Sequence, residues 1–183
     1  MARYQVRHLQ PDDYATLMRL EEEVFAADGE SVLGPYYVRL VCDFFSQTCF
    51  LAFDGDKPVG YILGFMRAGE VYCTTLAVVP DYHGSRVVHL LLRAFCRAVV
   101  DTAEVVWFTV KEDNTAARAV HATLGAENVE VRKDFYGPGE DRIVSRLDRK
   151  VLERLRERYV RLGFIEAPSS PASQTQPRLE AAS

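Results

Sequence analysis

No apolar run in the 183-residue chain approaches the roughly 18 residues that a membrane-spanning helix needs. The richest stretch, Val87-Val88-His89-Leu90-Leu91-Leu92, is short and carries a histidine. Residues 1–13 are too polar for a secretory signal, so the chain reads as soluble and cytoplasmic, with no membrane partner. An excess of positive charge is also missing: Lys and Arg total 22 against 26 Asp and Glu, which removes the basic footprint of a general nucleic-acid binder. Cysteine is sparse. Cys42, Cys49, Cys73 and Cys96 form no C-x-x-C pair and have no histidine at ligand spacing, so neither a disulfide framework nor a metal site is expected. They read as small buried hydrophobes. No internal repeat is visible. What the chain does have, 48% apolar and 26% charged residues, suits one compact domain with a short appendage.

The patterning predicts the order β-α-α-β-β-β-α-β-α-β-β-α, an α/β (α+β) arrangement with helices flanking a mixed, mainly antiparallel sheet. A strand over 4–9 precedes a helix that opens at Pro11-Asp12-Asp13, where proline and carboxylates suit the first turn. A second helix runs from Gly34-Pro35 to about Ser46 on a stripe of Tyr37, Leu40, Val41, Phe44 and Phe45. Strands over 48–53 and 59–66 flank the turn Asp54-Gly55-Asp56-Lys57, and a third covers 71–79. After the break at 80–85, Val87, Leu91, Phe95 and Ala98 mark a helix. A strand over 105–110 leads to a helix capped by Asn114 and stopped by Gly125. Strands over 128–135 and 142–147 complete a domain ending at 148. A helix over 149–162 follows, with Val151, Leu155, Tyr159 and Leu162 on one face, either covering the domain's own sheet or meeting a second copy in a homodimer. Residues 167–183, rich in Pro, Ser, Ala and Gln, read as a disordered tail. The strands at 71–79 and 105–110, joined by a helical crossover, should be parallel and diverge after Leu76.

Leu76-Ala77-Val78-Val79-Pro80-Asp81-Tyr82-His83-Gly84, followed by an apolar helix, resembles the coenzyme A-binding segment of the GNAT superfamily of acetyltransferases. Lys111-Glu112-Asp113-Asn114-Thr115-Ala116-Ala117 through Leu124-Gly125 resembles a later segment of the same fold. Lys133-Asp134-Phe135-Tyr136-Gly137-Pro138-Gly139-Glu140-Asp141 is similar to the end of the ribosomal-protein N-terminal alanine acetyltransferases. The resemblance spans about residues 4 to 148. It implies acetyl-coenzyme A as cosubstrate, no metal, and an amine-bearing small molecule or a peptide or protein N-terminus as acceptor. The family signature Gln/Arg-x-x-Gly-x-Gly/Ala is replaced at all three positions by His83-Gly84-Ser85-Arg86-Val87-Val88. Thr109 stands where the alanine acetyltransferases have a glutamate proposed as base, His121 where a tyrosine often protonates the thiolate, and Ala126 where a phenylalanine follows the glycine.

By this resemblance the pantetheine arm would meet the backbone of Leu76, Ala77 and Val78, and the pyrophosphate the helix start at Gly84, Ser85, Arg86, Val87 and Val88. His83 reads either as a loop residue or as a phosphate or adenosine contact, and Arg86 as a solvated charge or a phosphate clamp. Asn114 is a helix cap that can also touch the coenzyme. His121 is a candidate acid or a partly exposed helix histidine, and Glu70 a candidate base acting through water or a solvated turn carboxylate. Tyr136 and Asp141 occupy substrate-side positions, or simply close a hairpin. Two functions fit this pattern: an acetyl-coenzyme A-dependent N-acetyltransferase, or a non-catalytic binding or regulatory module of the same fold whose altered loop has lost productive coenzyme binding.

Overall fold

A computed structural model describes residues 3–26 and 32–167; the tail expected over 167–183 lies, apart from Ala167, outside the described residues. Seven strands form one sheet: β1 (Tyr4–His8), β2 (Phe50–Asp54), β3 (Lys57–Arg67), β4 (Glu70–Val78), β5 (Val105–Val110), β6 (Glu127–Arg132) and β7 (Arg142–Asp148). Their spatial order is β1-β2-β3-β4-β5-β7-β6, and every neighbouring pair is antiparallel except β4 with β5. That parallel pair is connected through α3 (Val87–Val99), the crossover such a pair requires. Side chains alternate between the two faces along β3. Tyr61 reaches Glu21 on α1 (Tyr14–Phe25), whereas at Gly64 the missing side chain makes room for Phe95 of α3. Helices α1 and α2 (Pro35–Asp43) therefore cover one face and α3 the other.

Pairing between β4 and β5 runs only from Glu70 opposite Val105 to Cys73 opposite Phe108. The two strands separate after Cys73, earlier than the expected divergence at Leu76. The cause lies on the other side of β4, where the register slips: Leu63 faces Thr75 and Gly64 faces Cys73, so Thr74 is an extra residue. Such a bulge bends the strand that carries it and increases its twist, turning β4 away from β5 while it stays on β3. Beyond the bulge the Val79 N–H donates to the Val59 carbonyl at 3.0 Å. Alternation along an antiparallel ladder then directs the N–H and C=O groups of Val78 and Leu76 away from β3, into the gap.

Val78 stands opposite Gly60 at a close pair, where a Cβ on Gly60 would fall 2.7 Å from the Ala77 carbonyl oxygen. Gly60→Ala is therefore expected to destabilise the fold by about 1–3 kcal/mol, the range for overpacking. An unchanged urea midpoint would show that β3 can retreat without penalty.

The region after β7 departs from the single helix expected over 149–162. It forms two short helices, α5 (Arg149–Arg154) and α6 (Arg156–Arg161), broken at Leu155. The break has a tertiary cause. Gly125, in the left-handed region at φ +81°, ends α4 (Thr115–Leu124), and the Leu155 side chain packs so closely over it that a Cβ there would collide. The Tyr159 hydroxyl then donates to the Leu124 carbonyl at 2.5 Å. Of the expected stripe, Val151 and Tyr159 are buried and Leu155 and Leu162 pack half-buried against the chain's own core, joined there by Leu152, Phe164 and Ile165. Two further boundaries differ: α2 ends at Asp43, leaving Phe44 69% exposed instead of on the buried stripe, and β6 stops at Arg132.

Candidate functional site

The opening between β4 and β5 is the centre of the site. On its β4 edge, the Leu76 and Val78 backbone groups have no strand partner on the β5 side, because the pairing has already ended. One is used locally: His83 brings its Nε2 to 2.8 Å from the Val78 carbonyl, donating from that nitrogen. His83 thus turns back to the strand it follows. The chain reaches α3 through a single turn at Pro80–Tyr82 and a left-handed Gly84 (φ +73°) with open space around it. Ser85 Oγ accepts the Val87 N–H at 3.2 Å, while the first-turn amides of Val88 and His89 have no carbonyl within the helix to bond. Val87 anchors the helix in the core, and Arg86 is exposed, with no ion pair or hydrogen bond to the described residues. Asn114 caps α4, its Oδ1 accepting from the Ala117 N–H at 2.9 Å.

On the α2 side of the opening lies a cluster of hydroxyls. Tyr72 Oη is 2.7 Å from Thr109 Oγ1 and 2.6 Å from Tyr136 Oη, and Thr109 is 3.3 Å from Tyr136. Beside them the Tyr37 hydroxyl donates to Thr74 Oγ1 at 2.9 Å. Burial, above all, pushes the Tyr37 hydroxyl up to about 12, with Tyr136 a smaller contributor, and burial raises Tyr72 as well. Tyr37 and Tyr72 are therefore uncharged near neutral pH. Tyr136 is 57% exposed, with the Arg142 guanidinium 4.9 Å from its ring centre, so the cluster opens to solvent.

His121 lies on the opposite side of β5. Its ring stacks on Phe108 at 4.8 Å, and consecutive residues Phe108 and Thr109 project to opposite faces. The histidine lines a surface pocket with Thr115, Arg118, Ala122, Ala126 and Asn128. Burial lowers its pKa to about 4, and its Nδ1 has no partner among the described residues. The neutral ring presents at most an N–H donor, a far weaker acid than imidazolium. Because the folded chain disfavours the charged ring, the unfolded chain binds the extra proton between about pH 6.5 and about pH 4, and stability falls as pH drops through that window. His121→Phe should flatten this part of the profile in acid titrations of thermal stability. An identical slope in the variant would place the sensitivity elsewhere.

Glu70 is not brought to the gap: it is exposed at the closed end of the β4–β5 pair, roughly 10 Å along the strand from Cys73. Asp141 is held within its own loop, accepting from Lys133 Nζ and, at 3.0 Å, from the Asp134 N–H; Lys133, first, lowers its pKa. Tyr136, by contrast, does join the site. Burial pushes the thiols of Cys42, Cys49 and Cys96 up to about 11, 12 and 12 and raises Cys73, so none supplies a thiolate nucleophile near neutrality. Among the described residues no cluster could hold a metal, and no helix is long and apolar enough to cross a membrane. Tyr37, Tyr72 and Thr74 were not among the expected site residues.

The acetyltransferase (GNAT) family matches residues 14–126. An uncharacterized N-acetyltransferase of Methanocaldococcus jannaschii, MJ1530, is 26% identical over 144 residues, covering 76% of this chain and 88% of that protein. Among solved structures, Arabidopsis thaliana Naa50, in complex with a bisubstrate analogue, superposes with a TM-score of 0.70 at 18% identity, over 80% of this chain and 99% of that one. The ribosomal-protein-S18-alanine N-acetyltransferase from Escherichia coli gives a TM-score of 0.65 at 18% identity, over 79% and 93%.

Proposed function

The chain belongs to the acetyltransferase (GNAT) family, and from that premise we propose that it transfers an acetyl group from acetyl-coenzyme A to the α-amino group of a peptide or protein. The observation that carries the choice of acceptor is the hydroxyl cluster of Tyr72, Thr109 and Tyr136, which contains no carboxylate. An α-amine ionises near 7.7–8.0 and a lysine side chain near 10.4, so at neutral pH an α-amine is about 10²-fold easier to find as the free base. A site without a well-placed carboxylate suits the first acceptor. Glu70 is at the closed end of the strand pair, and Glu21 is buried with both oxygens bonded.

The residues around the gap fit the coenzyme. The Leu76 and Val78 backbone groups that face away from β3 would hold its amide-bearing arm, while the Val88 and His89 amides and the Arg86 side chain would hold its phosphates. To engage the Val78 carbonyl, the arm would displace His83. As a substrate, acetyl-coenzyme A supplies an activated thioester that an uncharged amine attacks directly. Tyr72 and Tyr136 orient the acceptor nitrogen, which forms the new C–N bond as the thioester C–S bond breaks. The amine proton passes to solvent through Thr109 or water, and coenzyme A leaves as its thiolate, for which the neutral His121 N–H is the candidate hydrogen-bond donor and solvent the proton source.

Calorimetry with acetyl-coenzyme A, followed by turnover on two peptides, tests the reading. One peptide has a free N-terminal alanine, and the other is the same sequence with a blocked N-terminus and a single lysine. Saturable binding and acetylation of the first, at least about 10-fold faster than the second, are expected. Preference for the lysine would overturn the acceptor assignment, and no heat at millimolar coenzyme would favour a non-catalytic module.

A further inference from the structure

Glu21, on α1, is a carboxyl group only 1% exposed, and no lysine or arginine faces it among the described residues. Burial raises its pKa, and an ionisable group in such a place is tolerated only when its polar atoms are bonded. Both oxygens are. The Tyr61 hydroxyl, on β3, donates to Oε1, and the Leu33 backbone N–H donates to Oε2 at 2.9 Å. Neither partner belongs to the reacting groups, but Leu33 is followed by Gly34 and by Pro35, the first residue of α2. One turn into that helix, the Tyr37 hydroxyl donates to Thr74 Oγ1 at 2.9 Å, and Thr74 donates on to the Leu63 carbonyl at 3.4 Å. Thr74 is the extra residue of the β4 bulge, at the root of the gap between β4 and β5.

We infer that Glu21 is a positioning residue for the acceptor site: by tying the Leu33 amide to Tyr61 it fixes where α2 begins, and through Tyr37 it fixes the Thr74 side chain beside the Tyr72 cluster. This inference rests on the reading that the acceptor amine binds at that cluster. A carboxyl group suits the task because its two oxygens accept from both donors at once. Glutamine has a single acceptor oxygen and can keep the Leu33 bond only by turning its amide donor toward Tyr61. Methionine, of similar length, can keep neither. The coenzyme side of the gap, formed by Leu76, Val78 and the start of α3, shares no side-chain hydrogen bond with this chain of contacts among the described residues.

The test compares Glu21→Met, Glu21→Gln and Tyr37→Phe with the parent protein. It measures the Kd of acetyl-coenzyme A by calorimetry, steady-state kinetics on the peptide with a free N-terminal alanine, and hydrogen exchange of the α2 amides. Glu21→Met is expected to raise the acceptor KM about tenfold or more and to speed α2 exchange, with the coenzyme Kd within about twofold. Glu21→Gln should fall between Glu21→Met and the parent, the partial rescue that a single acceptor oxygen allows. Tyr37→Phe breaks the same path at its far end and should reproduce the KM effect, which keeps the test open if Glu21→Met does not fold. Unchanged KM and unchanged exchange would overturn the inference, as would acceptor KM and coenzyme Kd rising together. Should the parent protein leave the peptide unmodified, the proposed acceptor falls by itself, and α2 exchange then decides on Glu21 alone: unaltered protection in Glu21→Met rejects the positioning role.

Discussion

Tyr72→Phe is expected to lower kcat/KM on an α-amine acceptor about 10²-fold, with the Kd of acetyl-coenzyme A within about twofold. Tyr72 is the hub of the hydroxyl cluster: its oxygen touches both Thr109 and Tyr136, whereas these two are 3.3 Å apart. Removing it leaves no group that bridges the β4 and β5 sides of the gap. The phenyl ring keeps the packing, so the fold should survive, and the coenzyme edge at Leu76 and Val78 lies beyond the bulge. Steady-state kinetics with calorimetry separates the outcomes. A loss of coenzyme affinity equal to the loss of kcat/KM would mean that the hydroxyl supports the strand and not the chemistry. Raising the pH should partly restore the variant's rate, since more of the acceptor is then already deprotonated.

The second large effect concerns stability. Tyr159→Ala is expected to destabilise the protein by about 3–5 kcal/mol, the range for deleting a buried aromatic side chain. Tyr159 is 1% exposed, packs edge-on against Phe164 at 6.2 Å and borders the same small cavity as Phe95, Cys96, Phe108, Leu124 and Leu152, between α3, α4 and α5. Its hydroxyl also satisfies the buried Leu124 carbonyl, which the variant leaves without a donor. Tyr159→Phe isolates that last contribution at about 1–3 kcal/mol. Denaturant titration followed by tryptophan fluorescence reads the outcome at Trp107, the single tryptophan, on β5, whose neighbours Val106 and Phe108 border the same cavity as Tyr159. A change under about 1 kcal/mol for Tyr159→Ala would show that α5 and α6 are appended to the domain and not part of its core.

Elements whose signals are local were legible in the sequence. Asn114 as a cap, Gly125 as a stop, the Asp54–Lys57 turn and the parallel pair around α3 each depend on a few neighbouring residues or on a connection length, and each is present. What was not legible depends on contacts distant in sequence. The bulge at Thr74 carries no glycine or proline to mark it; it shows only as a mismatch with β3. Tyr37, Tyr72 and Thr74 look like ordinary strand and helix residues, because nothing local says that three elements converge on one point. The break at Leu155 follows from Gly125, thirty residues earlier, and Phe44 fits the apolar stripe of a longer α2 that the chain does not form. For the site, Tyr136 was placed from the resemblance and does join the cluster. Glu70 is a carboxylate that opens β4, but at the end where β4 and β5 are still paired.

The short seam between β4 and β5 has a mechanical consequence. Four residues on each strand join the half of the sheet from β1 to β4 to the half from β5 to β7, and beyond them β4 runs five more residues, about 16 Å, to Val78. The halves thus form a pair of shears pivoting near Cys73 and Phe108, and a rotation of about 5° at the pivot moves the tip by about 1.4 Å over that arm. At the opposite end, Arg149 donates to the Val100 and Asp101 carbonyls at 2.8 and 2.9 Å, and Arg156 pairs with Asp101 at 2.8 Å, clasping the handles together. Loosening that clasp with Arg149→Met, at the closed end of the seam, is expected to widen the blades by leverage alone, read as faster hydrogen exchange of the β4 and β5 amides.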